Sequence, residues 1–179
     1  MRNIGKGIIG IVAFTSFFMM TMGSFAADYS HKITEKNMDF EWTVNGENLD
    51  VRISAKTEGW VGIGFNPSHD MRDANIIMGY VKNGEVKVSD EFGTSDTSHD
   101  KDTKLGGAEN VTNISGKEEK GMTHIAFTIP LSSGDQKDRP IIVDGETVVI
   151  MAYGAGRDSF NTKHATRTMF KVNLSTGKK

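Results

Sequence analysis

The sequence predicts an all-β protein, an antiparallel β-sandwich of about nine or more short strands. Three observations carry this expectation. Apolar residues recur with period two in segment after segment, and no stretch sustains a 3.6-residue repeat. Three Asx-Gly pairs, Asn45-Gly46, Asn83-Gly84 and Asp144-Gly145, fall between apolar runs. Such a pair supplies the positive φ angles that a tight hairpin requires. Twenty glycines against three prolines in 179 residues fit a chain with many turns.

Phe40, Trp42 and Val44 alternate with polar residues, and Leu49, Val51, Ile53 and Ala55 repeat the pattern beyond Asn45-Gly46. These are the first two strands and their hairpin. Residues 60–65 and 76–81 follow; the β-branched Ile76-Ile77 pair favours a strand over a helical turn there. Residues 86–88 pair back through Asn83-Gly84. Residues 123–129 form another candidate, residues 141–143 and 148–150 read as a hairpin about Asp144-Gly145, and residues 168–174 close the set. The stretch 93–120 is rich in Ser, Thr, Asp, Lys, Gly and Asn and is expected to be a long surface excursion.

Residues 1–26 read as a secretory signal. Arg2 and Lys6 form a positive start, Ile8 to Met22 an apolar run, and Ser24-Phe25-Ala26 the small residues of a cleavage site. The run is short for a membrane span of about 20 residues, so removal is expected. Residues 27–179 then form a single domain, exported to a periplasm or secreted, with no membrane anchor left. They hold 19 basic and 23 acidic residues, a net charge of −4, which speaks against a nucleic-acid groove.

The chain has no cysteine, which excludes disulfides, thiolate metal sites, iron–sulfur clusters and thioether-linked haem. Gly-x-Ser-x-Gly and a Walker loop are absent. Gly62-x-Gly64 lacks the third glycine of a dinucleotide fingerprint and reads instead as strand glycines at a close approach. No nucleophile or base stands out, so the chain reads as a carrier or binding domain and not as an enzyme.

Soft ligands remain. His31 reads as solvated, His124 as strand-borne, and His99 as part of a polar Ser98–Asp102 loop where solvation outweighs a weak cation site. Met78, Met122, Met151 and Met169 lie in or beside apolar runs, where methionine fills core. Met71, among Ser68, His69, Asp70, Arg72 and Asp73, fits that role less well, as does His164 in the polar segment 161–167.

The runs Trp42 to Gly46, Leu49 to Thr57 and Gly59-Trp60-Val61-Gly62-Ile63-Gly64-Phe65-Asn66 resemble the opening of DOMON domains. Met71 to Val81, Val86 to Asp90, Thr123 to Leu131 and Val149 to Gly154 continue the resemblance in order, and His164 before a last strand closes it. It spans about residues 40–174. It implies an immunoglobulin-like sandwich that binds haem b or, in some branches, a sugar. In the cytochrome-like branch a methionine after the Gly-Trp strand and a late histidine are the axial ligands, positions matched here by Met71 and His164. An arginine common in the family before the Pro-Leu of the later strand is replaced by Ile129.

A thioether and an imidazole would fill both axial positions, which suits electron transfer, and methionine ligation raises the potential. The resemblance thus implies a one-electron carrier with non-covalent haem b and a redox partner protein. Trp60, Phe65, Met78, Tyr80, Met151 and Tyr153 are the candidate lining, with Arg72, Arg157, Lys163 or Arg167 near the propionates. Lys163 is an alternative ligand to His164. Two other readings stay open: a carbohydrate-binding sandwich, short of exposed aromatics with two Trp and three Tyr, and an exported copper carrier built on His69-x-Met71.

Overall fold

The computed structural model describes residues 28–179; the expected signal at residues 1–26 lies outside them. Eleven strands make up the fold: β1 His31–Glu35, β2 Met38–Asn45, β3 Asn48–Ala55, β4 Val61–Phe65, β5 Asn75–Lys82, β6 Glu85–Ser95, β7 Ser98–Lys101, β8 Thr112–Glu119, β9 Met122–Pro130, β10 Thr147–Gly154 and β11 His164–Val172. A short 3₁₀ turn, Asp102–Leu105, follows β7. The strands form two antiparallel sheets, ordered β1-β2-β3-β9-β8 and β11-β10-β4-β5-β6-β7. The expected β-sandwich is therefore what the chain builds.

Between the sheets lies one apolar core. Phe40, Trp42, Leu49, Val51 and Ile53 from one sheet meet Val61, Ile63, Phe65, Ile77 and Val149 from the other. Phe40 stacks on Trp42 at 4.3 Å and meets Phe65 edge-on at 6.1 Å. The indole N–H of Trp42 donates to the carbonyl of Leu174 at 2.8 Å, so its one polar atom is satisfied inside the core.

Two of the three Asx-Gly pairs turn hairpins. Gly46 (φ 60°) joins β2 to β3, and Asn83 (φ 53°) with Gly84 (φ 79°) joins β5 to β6. The third does not. Asp144 and Gly145 have no positive φ, and residues 141–143 form no strand. Their backbone groups find single partners instead: Ile141 donates to Leu131, Ile142 accepts from the Thr147 hydroxyl, and Val143 accepts from Ser175. An apolar run with local turn chemistry needs a neighbouring strand, and β10 already has β4 and β11.

The segment 93–120 also departs from expectation. It completes β6 and supplies β7, the 3₁₀ turn and β8. β7 and β8 sit at sheet edges, where one side of each strand faces no partner and the apolar alternation disappears. β1 was missed for the same reason, although Lys36 (φ 47°) and Asn37 (φ 64°) turn it tightly into β2.

Candidate functional site

In an antiparallel sheet with one wet face, strands alternate between buried and exposed residues. β4 and the first five residues of β5 are buried throughout, so their outer face is covered as well. Under that cover lies a second apolar cluster, separate from the core. Trp60, Ala74, Ile76 and Met78 form it, and Met71, Tyr80, Ile150, Ala152 and Phe160 pack against it. Strand alternation sorts these residues: Ile76, Met78 and Tyr80 face outward while Ile77 and Val81 enter the core.

Gly62 and Gly64 make room on this outer face. A Cβ on Gly62 would stand 3.3 Å from Met78 Cγ, and one on Gly64 would stand 2.8 Å from Ile150 Cγ1. Their reading as close-approach glycines is thus what the geometry shows.

Two loops provide the cover. The first, residues 66–74, carries Met71. It is tied down on β6: Asp73 N–H donates to Gly93 carbonyl, and Gly93 N–H donates to Ala74 carbonyl. Gly93 has to be glycine, because a Cβ there would lie 1.6 Å from the Met71 carbonyl oxygen. Arg72 Nε bonds to Asp96 at 3.0 Å and fixes the loop to the β6–β7 turn.

The second loop, residues 155–163, leads into His164. Trp60 Nε1–H donates to the Thr162 hydroxyl at 3.0 Å and its carbonyl at 3.2 Å, and Phe160 packs on Tyr80 with ring centres 4.7 Å apart. Gly154 permits this arrangement, since a Cβ there would fall 2.4 Å from Trp60 Nε1. His164 pairs with Gly154 across a register shift at the start of β11. It is thus a strand residue, exposed, and not part of the loop itself.

Met71 packs against the outer-face cluster, whereas His164 pairs with Gly154, toward the opposite end of β4. Met71 follows the Phe65 end; His164 enters at the other end, where Val61 pairs with Tyr153. Four strand steps separate those ends, roughly 13 Å. His164 also lies near enough to His99 of β7 for their charges to interact. Desolvation, then Arg167 and Lys163, hold its imidazole below the ordinary histidine pKa, so the ring is neutral at pH 7.

Of the six expected lining residues, Trp60, Met78 and Tyr80 belong to this cluster. Phe65, Met151 and Tyr153 do not: they pack in or against the inter-sheet core. The reason is parity. On β4 and β10 the odd-numbered residues face inward, leaving Gly62, Gly64, Ile150 and Ala152 outside. Ala74, Ile76 and Phe160 were overlooked; the unbroken apolar run 76–78 was the signal for Ile76. Arg157, Lys163 and Arg167 are exposed around the His164 end, whereas Arg72 is engaged by Asp96.

His99 was also underrated. It lies on β7, not in a loop, and its Nδ1 makes a short contact with the buried carboxylate of Glu91, which also accepts from Ser89 at 2.7 Å. Burial opposes the Glu91 charge, but those two bonds outweigh it and lower the pKa. A cleft of about 380 Å³ opens here beside the apolar cluster, lined by Tyr80, Glu91, His99, Lys104, Phe160 and Asn161 among others.

Two antiparallel sheets of five and six strands, with a covered outer face on the second and Met71 packed against it, define the molecule as a β-sandwich domain. Residues 34–154 match the DOMON domain family, and the chain belongs to that family. It is 30% identical over 134 residues to mouse (Mus musculus) DBH-like monooxygenase protein 1, covering 73% of this chain and 21% of that protein. The human (Homo sapiens) DBH-like monooxygenase protein 1 is also 30% identical, over 63% of this chain and 18% of its own length. The chain thus spans about a fifth of these relatives. In fold it is similar to the cytochrome b domain of Coprinopsis cinerea pyranose dehydrogenase, with TM-score 0.62, 11% identity and 83% of each chain covered. The cytochrome domain of Myriococcum thermophilum cellobiose dehydrogenase matches with TM-score 0.57 and 11% identity over 82% of each chain. No helix among the described residues is long and apolar enough to cross a membrane.

Proposed function

We propose that this DOMON domain is an exported b-type cytochrome that passes single electrons between protein partners. One observation carries the reading: Met71 packs against the apolar outer-face cluster past one end of β4, and His164 pairs with Gly154 past the other. The donor set fits the group. Met71 and His164 would hold the haem iron through a thioether and an imidazole, and Trp60, Ile76 and Met78 would offer an apolar wall. Bound haem b would supply a one-electron iron couple.

The chain's own residues do the rest. Gly93 and the Asp73 and Ala74 bonds hold Met71 over the sheet. Trp60 holds the segment leading to His164. The two loops cover the outer face, and Arg157, Lys163 and Arg167, all exposed, would meet the haem carboxylates. A net charge of −4 for residues 27–179 favours a basic redox partner.

The test is an absorption spectrum of the protein with haem supplied, oxidised and then dithionite-reduced. Resolved α and β bands with a sharp Soret band on reduction are expected. Met71→Leu and His164→Ala are each expected to convert the spectrum to high spin. A featureless wild-type spectrum, or wild-type bands in both variants, overturns the proposal.

A further inference from the structure

A second group of side chains lies away from the outer-face cluster. Asp90 stands in the middle of β6, Asp102 opens the 3₁₀ turn after β7, and Asp138 belongs to the loop between β9 and β10. All three are buried, at 3%, 0% and 7% exposure. One carboxylate oxygen from each lies within 4.8 Å of the others.

Their outward oxygens are occupied. Asp90 Oδ2 accepts the Asn110 backbone N–H at 2.9 Å, and Asp138 Oδ2 accepts the Asn110 side-chain amide at 2.7 Å. The other four oxygens, both of Asp102 and Oδ1 of Asp90 and Asp138, are buried with no hydrogen-bond partner. Asp135 and Glu109 add negative charge nearby. Lys137 offsets part of it, with its ammonium 5.1 Å from the centre of the Phe92 ring.

Buried carboxylates that lack partners are strongly unfavourable unless a proton or a cation neutralises them. Burial and mutual repulsion push Asp90 and Asp102 to about 7 without a cation. A proton can therefore relieve part of the strain, but it leaves unpaired oxygens pointing at one another. The donors are all hard oxygens, with no imidazole or sulfur among them. Such a set suits Ca²⁺, which accepts six to eight oxygens in loose geometry, better than a transition metal or the stricter Mg²⁺.

We propose that Asp90, Asp102 and Asp138 form a calcium site that ties the β7–3₁₀ segment to the β9–β10 loop. The site shares no residue with Met71, His164 or the outer-face cluster, so it stands whether or not haem binds.

Equilibrium dialysis of the full protein with Ca²⁺ after EGTA treatment tests this, together with thermal unfolding in EGTA and in excess Ca²⁺. One bound ion per chain is expected. At a hundredfold excess over Kd, Tm is expected to rise by roughly 5–10 °C, and Mg²⁺ at equal concentration to raise it less. Asp102→Asn removes one unpaired charge, so it is expected to match or exceed the wild-type Tm in EGTA while losing the calcium response. No stoichiometric binding and no Tm shift in the wild type would overturn the site. A wild-type calcium response in Asp102→Asn would overturn its placement, and an equal response to Mg²⁺ would overturn the choice of ion.

Discussion

Replacing Gly93 with alanine probes how the Met71 loop is held. The new Cβ would lie 1.6 Å from the Met71 carbonyl oxygen and 2.7 Å from its carbon. Ordinary contact needs more than 3 Å, so the loop must retreat by roughly 1.5 Å, and the atoms in the way are backbone. Retreat strains two hydrogen bonds, Asp73 N–H to Gly93 carbonyl at 2.8 Å and Gly93 N–H to Ala74 carbonyl at 3.0 Å. Overpacking of this kind costs about 1–3 kcal/mol. The backbone at Gly93 is outside the positive-φ region, so alanine also lowers unfolded-state entropy, which returns about 0.4–1 kcal/mol. An overlap this deep with backbone belongs at the upper end of that range, so the net expectation is a loss of about 2–2.6 kcal/mol, or a Tm lower by roughly 4–10 °C. Urea unfolding of haem-free protein measures the loss. A haem titration then asks whether the displaced Met71 weakens the low-spin bands while His164 is untouched. Stability within about 0.5 kcal/mol of wild type would refute the argument that Gly93 seats the loop.

Other outcomes follow from the same structure. Trp60→Phe keeps the ring in the outer cluster but removes the bond to Thr162; a loss of about 1 kcal/mol in urea unfolding is expected, and none would mean the 155–163 loop is held otherwise. Glu41→Gln disrupts a two-pronged contact with Arg52, both arms 2.7 Å long, and is expected to cost about 1–2 kcal/mol by the same assay. Asp90 and Asp102 have folded pKa values raised from 3.8 to about 7, so between those values the native state holds more protons than the unfolded chain. Their contribution to stability is therefore complete at low pH and lost as pH rises through about 7. In EGTA, Tm is expected to fall between about pH 5 and pH 7 more steeply in the wild type than in Asp102→Asn; equal slopes would refute this.

Much of the fold was legible because its strands announce themselves by alternation. β2, β3 and β9 face the core with every second residue, and Asn45-Gly46 and Asn83-Gly84 turn as their chemistry demands. Edge strands gave no such signal: β8 reads Thr-Asn-Ile-Ser-Gly-Lys-Glu-Glu and is mostly exposed. Residues 141–143 gave a false one, since apolar character recorded the burial of Ile141 and not a ladder. At the site, Met71 and His164 stood out as residues whose surroundings did not suit them. Which aromatics and methionines accompany them did not, because Met78 and Met151 look alike in sequence and differ only in which side of the sheet they face.

The sequence by itself therefore determined the class of fold and two of the three Asx-Gly hairpins, since each rests on contacts within a few residues. Tertiary structure alone decided what covers the second sheet, why Gly93 and Gly154 must be glycine, and that Asp90, Asp102 and Asp138 meet. Those facts join residues tens of positions apart, and one-residue parity in a strand, invisible without its partners, sends a side chain to one face or the other.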